Sequence, residues 1–344
     1  VRPPNSVLAL TRLAFRLPER ALRAFAGKTP HADDGTPIDP VVGALLAMSE
    51  RAGFPKTFEL SVAEARQRTL DDSALVGPPP EPMASVEDRF IPGPGGSIRV
   101  RVYRPSSVLG APLLVYLHGG GFVLGDLDSH DVVCRRIARV AGCVVVAVHY
   151  RRAPEDRYPA AAEDAEAALA FVLSHAESFG GDPTRVGVAG DSAGGNLSTV
   201  ACRRLRDRGA PLPKAQVLIY PATDFTSSMD SHRRFASGFF LEEKSIDWFR
   251  NHYLPNVDSW KQPDASPYFA EDVSGLPPAV VVTAGFDPLL DEGKAYADRL
   301  REAGVDVRYR CESALVHAFI NMAGLSPGCS DALDRIAHDA AEML

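Results

Sequence analysis

Hydrophobic positions along the chain follow two periods, and the change falls near residue 77. Before it the spacing is helical. Leu8, Leu13, Leu17 and Phe25 recur through Val7 to Ala26, a segment that Ser6 would cap and that Pro18 should break or kink. Asp39-Pro40 reads as N-cap and first residue of a helix running from Val41 to Ala52, with Gly53 as its stop. Ser61-Val62-Ala63-Glu64 is a capping box that opens a third helix. Gly77-Pro78-Pro79-Pro80-Glu81-Pro82 then reads as a stiff linker.

Beyond the linker the period shortens. Val86 to Ile91 and Ser97 to Tyr103 read as strands, the second alternating Ile98, Val100 and Val102 with arginines. Short apolar runs follow at Leu113 to Leu117, Val144 to Val148, Val186 to Ala189, Val217 to Tyr220 and Ala279 to Thr283, each suited to a strand buried on both faces. Val305 to Cys311 is a further strand. Helical stretches separate most of them: Val132 to Val140, Ala160 to Phe179, Ala193 to Arg208 and Leu289 to Ala303. This alternation predicts an α/β fold with a mostly parallel sheet flanked by helices. Phe225 to Gly275 breaks the alternation, carries its own helix from Glu242 to Tyr253, and reads as an insertion. The predicted division is an N-terminal helical segment (1–82), a main α/β domain (83–224 and 276–344) and a cap insertion (225–275).

Composition narrows the function. With 344 residues, 45% of them hydrophobic and 24% charged, the chain is built to fold and bury a core. A net charge of −7 supplies no broad basic surface for nucleic acid. No run approaches the roughly 18 apolar residues of a spanning helix, and Arg12, Arg16, Arg20 and Arg23 interrupt any signal-peptide layout. The five cysteines form no C-x-x-C pair, which predicts buried, reduced thiols and a cytoplasmic protein without stable membrane insertion.

Gly190-Asp191-Ser192-Ala193-Gly194 has the G-x-S-x-G form. Alone the motif discriminates little. Here it joins a predicted strand to a predicted helix, the context in which a serine stands on a sharp turn and small residues let strand and helix crowd together. His118-Gly119-Gly120-Gly121-Phe122 follows another strand. Consecutive glycines let backbone N–H groups approach a ligand, as acyl transfer requires for its developing oxyanion. A phosphate loop would need a following Lys-Ser/Thr, which neither glycine run has.

A serine nucleophile needs a base and an acid to orient it. Among nine histidines, His317 lies just after the last predicted strand, and Asp287 lies at the carboxyl end of the strand before it. The order Ser192, Asp287, His317 is the α/β-hydrolase order.

Together these segments resemble the bacterial hormone-sensitive-lipase-like family of α/β-hydrolase esterases. The resemblance is carried by His118-Gly119-Gly120-Gly121, Tyr150-Arg151-Arg152-Ala153-Pro154-Glu155, Gly190 to Gly195, Asp287 to Gly293 and His317-Ala318-Phe319. Arg152 stands where the family usually has leucine, and Ala318 where it usually has glycine. The resemblance implies an eight-stranded sheet and a helical cap formed by the N-terminal segment and the insertion. It implies an oxyanion hole from the N–H groups of Gly120, Gly121 and Ala193, supporting parts for Glu155 and Glu292, and no metal or organic cofactor. It also leaves room for a homodimer.

The expected activity is hydrolysis of small esters with short to medium acyl chains. Phe122, Phe235, Phe239, Phe240 and Phe286, with Trp248, are candidates for an acyl pocket. Amide, acetyl or lactone hydrolysis would use the same three side chains. A non-catalytic receptor on this scaffold, as in the plant gibberellin receptors, lacks the catalytic histidine that His317 supplies here.

Overall fold

The computed structural model describes residues 15–344. Ser6 and the apolar positions before Phe15 lie outside them. Pro18 marks a break, as the proline predicts. It is the N-cap of a short helix, α1 (Glu19–Ala26), because its missing N–H costs nothing at a helix start. In α2 (Pro40–Arg51) the Asp39 carboxylate accepts the N–H groups of Val41 and Val42, and in α3 (Val62–Val76) Ser61 and Glu64 form the expected reciprocal box.

Eight strands form one sheet: β1 (Ser85–Gly93), β2 (Gly96–Arg104), β3 (Ala111–Leu117), β4 (Val144–His149), β5 (Gly181–Asp191), β6 (Gln216–Ile219), β7 (Ala279–Phe286) and β8 (Val307–Val316). Their spatial order is β1-β2-β4-β3-β5-β6-β7-β8. Only β2 pairs antiparallel with its neighbours; β4, β3, β5, β6, β7 and β8 pair in parallel.

The helices between the strands are α4 (Asp131–Ala141), α5 (Ala160–Ser174), α6 (Ala193–Asp207) and α9 (Leu290–Glu302). Strand parity sorts the core into two layers. Leu113, Val115, Leu117, Val186, Val188 and Val281 pack with Ala165 and Leu169 of α5, Leu197 of α6 and Leu300 of α9. Leu114, Tyr116, Ala189, Val280 and Val282 pack with Ile137 of α4 and with Leu333 and Ile336 of a last helix, α10 (Pro327–Met343). Each fully buried aliphatic side chain contributes roughly 1.5–3 kcal/mol to these layers.

The predicted strands stand, mostly one to five residues longer than their apolar cores. The helix expected from Ala160 to Phe179 ends at Ser174 and continues as a 3-10 turn over Ala176–Phe179, closed by Gly180 at φ 81°. Four cysteines are buried, but Cys311 on the edge strand β8 is half-buried.

From β3 the chain passes through α4 on one face to β4, then through α5 on the other face to β5. The connections leaving the carboxyl ends of β3 and β5 therefore diverge. That switch point is where open α/β sheets place ligands, and it carries both glycine-rich motifs.

Residues 225–275 hold α7 (Asp230–Arg234), α8 (Glu243–Tyr253) and 3-10 turns at Val257–Lys261 and Pro267–Phe269. They are tied to α6 by Asn196, whose amide donates to Ala222 O and Ala265 O, both at 2.7 Å. Lys56 and Glu242 join the N-terminal segment to the insertion at 2.9 Å. Among the described residues, no helix is long and apolar enough to cross a membrane.

Candidate active site

Ser192 is the N-cap of α6, with φ 54° and ψ −116°. That conformation is unfavourable for an L-residue and stores about 1–3 kcal/mol of strain. The surroundings enforce it. Ser192 N–H donates to Ile219 O at 2.8 Å, and Ser192 O accepts Asn196 N–H at 3.0 Å. A Cβ on Gly194 would overlap the Leu117 carbonyl, and one on Gly190 would overlap the Gly194 backbone. The two glycines thus let β5 and α6 close tightly enough to lift the serine out of the turn.

The other two residues are brought together by sheet register. Phe286 of β7 is paired with Val316 of β8, so Asp287 and His317 leave the sheet side by side. A register shift makes this possible. Thr283 pairs with Cys311, but Phe286 pairs with Val316, so β8 carries two extra residues there. Gly285 accommodates the bulge, since a Cβ there would overlap Ser313 O.

The three side chains form one hydrogen-bonded line. Ser192 Oγ–H donates to His317 Nε2 at 2.9 Å, and His317 Nδ1–H donates to Asp287 Oδ2 at 2.7 Å. Asp287 Oδ1 accepts Leu289 N–H at 2.9 Å, which fixes the carboxylate's rotation. Asp287 is fully buried and His317 nearly so. The imidazole lies against Tyr220, ring centroids 4.6 Å apart, and Tyr220 in turn meets Phe319. A hydroxyl, imidazole and carboxylate so joined can lose, carry and stabilise one proton. Ala318, next to the histidine, has φ 62°. This is a left-handed position, where glycine costs least, and it accounts physically for the glycine usual there.

The His118–Phe122 loop is held from below. Asp191 Oδ1 accepts the Gly119 N–H at 2.9 Å and the Tyr116 hydroxyl at 2.8 Å. His118 Nδ1–H donates to Gly119 O at 2.8 Å, and Tyr150 stacks on the His118 ring at 4.3 Å. Burial, with the charges of His130, Arg152 and His149, pushes His118 down to about 3. It is therefore a neutral strut. Burial would raise the Asp191 carboxyl, but His130, Tyr116 and Gly119 N–H together hold it below the usual range. Among the described residues, none of the N–H groups of Gly120, Gly121 and Ala193 donates to another protein group. Arg152 donates to Gly125 O at the far end of the same loop.

The aromatic candidates divide. Phe122 is buried and stacks on Tyr253 at 3.9 Å. Phe235, Phe239 and Phe286 form a mutual cluster with centroids 5.3–6.0 Å apart. Phe240 is 55% exposed, and Trp248 packs edge-on against Phe249. The residue that touches the glycine loop is Phe249, whose ring occupies the space a Cβ on Gly121 would need. No sequence signal singles it out among the aromatics of the insertion. Asp191 and His118 sit inside the motifs, but their strut roles are set by contacts distant in sequence. Glu155 is bound by both terminal nitrogens of Arg66 at 2.7 Å.

The chain matches the family model of the α/β hydrolase fold over residues 114–321 and belongs to that family. Its relatives include the carboxylic ester hydrolase LipN of Mycobacterium tuberculosis, 43% identical over 91% of this chain and 85% of that protein. An ethyl acetate hydrolase of Pseudomonas putida is 38% identical over 77% of this chain and 85% of its own length. Among solved structures, a Pyrobaculum calidifontis esterase superposes with a TM-score of 0.83 at 39% identity, covering 89% of this chain and 99% of that one.

Proposed function

We propose that the chain is a serine hydrolase of carboxylic esters with short to medium acyl chains. The observation that carries this is the Ser192–His317–Asp287 line of hydrogen bonds beside uncommitted backbone N–H groups. Ser192 Oγ attacks the ester carbonyl as its proton passes to His317 Nε2. Asp287 holds the imidazole in the Nδ1–H tautomer and stabilises the imidazolium. The N–H groups of Gly120, Gly121 and Ala193 receive the oxyanion, each contributing about 3–4 kcal/mol to lowering the barrier. The alkoxide leaves with the proton from His317. Water, deprotonated by the same histidine, then attacks the acyl-enzyme and releases the acid.

The described part of the N-terminal segment (15–82) and the insertion (225–275) act as a cap over a catalytic domain made of 83–224 and 276–344. Phe249 forms the wall nearest the oxyanion donors, with the aromatic cluster of Phe235, Phe239 and Phe286 as a second candidate wall. A bulky aromatic so close to Gly121 favours small acyl groups, in keeping with the ethyl acetate hydrolase among the relatives. A cytoplasmic setting belongs to the same proposal and is supported by five cysteines free of disulfides.

Parallel rates on matched nitrophenyl esters, anilides and lactones, with acyl chains from acetyl to dodecanoyl, test it. The acetyl to hexanoyl esters are expected to give the highest kcat/KM. An anilide or lactone turned over faster than every ester would overturn the assignment.

A further inference from the structure

Two residues that this mechanism leaves idle face each other next to the acid loop. Glu292 stands in the first turn of α9 and His232 in α7, both almost wholly buried. Glu292 Oε2 and His232 Nε2 are 2.9 Å apart but not aligned as a hydrogen bond, and neither atom has another hydrogen-bond partner among the described residues. Glu292 Oε1 accepts the backbone N–H of Thr223 at 2.5 Å and of Asp224 at 3.1 Å. Beside this pair, Ser231 Oγ–H donates to Pro288 O at 2.6 Å and Ser231 N–H to Asp291 Oδ2 at 2.8 Å. Helix α7 of the insertion therefore grips the segment from Asp287 to Glu292, which begins with the triad acid.

The charge state of the contact follows from its surroundings. His232 faces Asp224 from the loop after β6, Glu243 from α8, Asp287 from the loop after β7, and Asp291 and Glu292 from α9. Glu292 faces Asp224 and Asp287. An ionised Glu292 would be one more buried negative charge in this group, and such a charge is costly unless fully compensated. Burial first, then Asp224 and Asp287, push the Glu292 carboxyl well above its ordinary range, against the pull of the Thr223 and Asp224 N–H groups. Burial also lowers the His232 imidazole, against the four carboxylates Asp224, Asp287, Asp291 and Glu243. Both directions leave the pair uncharged.

We propose that Glu292 is a positioning residue that keeps its proton and, by turning it onto the unpartnered His232 Nε2 2.9 Å away, latches the insertion to the loop bearing Asp287 without adding a second buried negative charge beside it. The inference rests on the triad reading above, but its test has a readout that does not depend on turnover. In E292Q the amide nitrogen replaces the carboxyl OH, while Oε1 keeps Thr223 and Asp224. E292Q is expected to retain most of kcat with an unchanged acid limb of the pH profile. E292A should lose about tenfold or more in kcat, equivalent to about 1.4 kcal/mol of barrier.

Denaturant unfolding separates the charge states. The unfolded carboxyl ionises near 4.5. Above that pH wild type must take up a proton to fold, and E292Q need not. The wild-type folding constant should therefore fall relative to that of E292Q as pH rises from 5 to 8, by up to about tenfold per pH unit. A wild type that holds or gains stability relative to E292Q over this range would show an ionised Glu292 and overturn the proposal. So would an E292Q as inactive as E292A. Should E292A fail to fold, H232Q replaces it. Its amide oxygen still accepts the proton, so kcat near wild type supports the latch, and loss of kcat in the folded H232Q protein overturns it.

Discussion

Replacing Ser192 by alanine is expected to lower kcat on a short-chain nitrophenyl ester by about six orders of magnitude, the scale seen when a triad nucleophile is removed. The size follows from the geometry. Among the described residues, the only hydroxyl hydrogen-bonded to His317 Nε2 is that of Ser192, at 2.9 Å. Without it, hydrolysis has no acyl-enzyme route and rests on the oxyanion donors alone. The fold should survive. Ser192 holds its place through its backbone bonds to Ile219 and Asn196, which alanine keeps, and its φ of 54° is no harder for alanine than for serine. Unchanged circular dichroism and unfolding midpoint beside lost turnover is the predicted pair of results. A variant retaining a tenth of wild-type kcat would contradict the nucleophile assignment.

Asp287→Asn is expected to cost about four orders of magnitude in kcat, through tautomer control. Leu289 N–H points at Asp287 Oδ1 from 2.9 Å and will retain the amide oxygen of an asparagine. The amide NH2 is then left facing His317 Nδ1, where Oδ2 now sits at 2.7 Å. That arrangement favours the imidazole with its proton on Nε2, which cannot accept one from Ser192. Steady-state kinetics checks this. A loss of tenfold or less would mean that Asp287 only packs against the histidine.

Much of the fold was legible in the sequence because short strands buried on both faces give nearly continuous apolar runs such as Leu113 to Leu117 and Ala279 to Thr283. The capping signals at Asp39 and Ser61 act over a few residues and read cleanly. The hydrogen-bonded line of Ser192, His317 and Asp287 was legible because the chain order of these residues and the strand-turn-helix around Ser192 can be read without knowing distant contacts. What escaped depends on distant contacts. The β8 bulge that sets His317 beside Asp287 needs the pairing partner to be known. Phe249 is one aromatic among several until Gly121 is seen beneath it. His232 precedes the acid in the chain, so the order argument passes over it. Its burial against Glu292 is visible only after α7 has docked.

The proposed chemistry requires His317 to activate Ser192. The most direct measurement is the rate and position of covalent modification by an organophosphate, followed by mass spectrometry of the intact chain and its peptides. One adduct per chain, on the peptide containing Ser192, forming rapidly in wild type and far more slowly in H317A, is the predicted result. Modification elsewhere, or equally fast labelling of Ser192 in H317A, would contradict it.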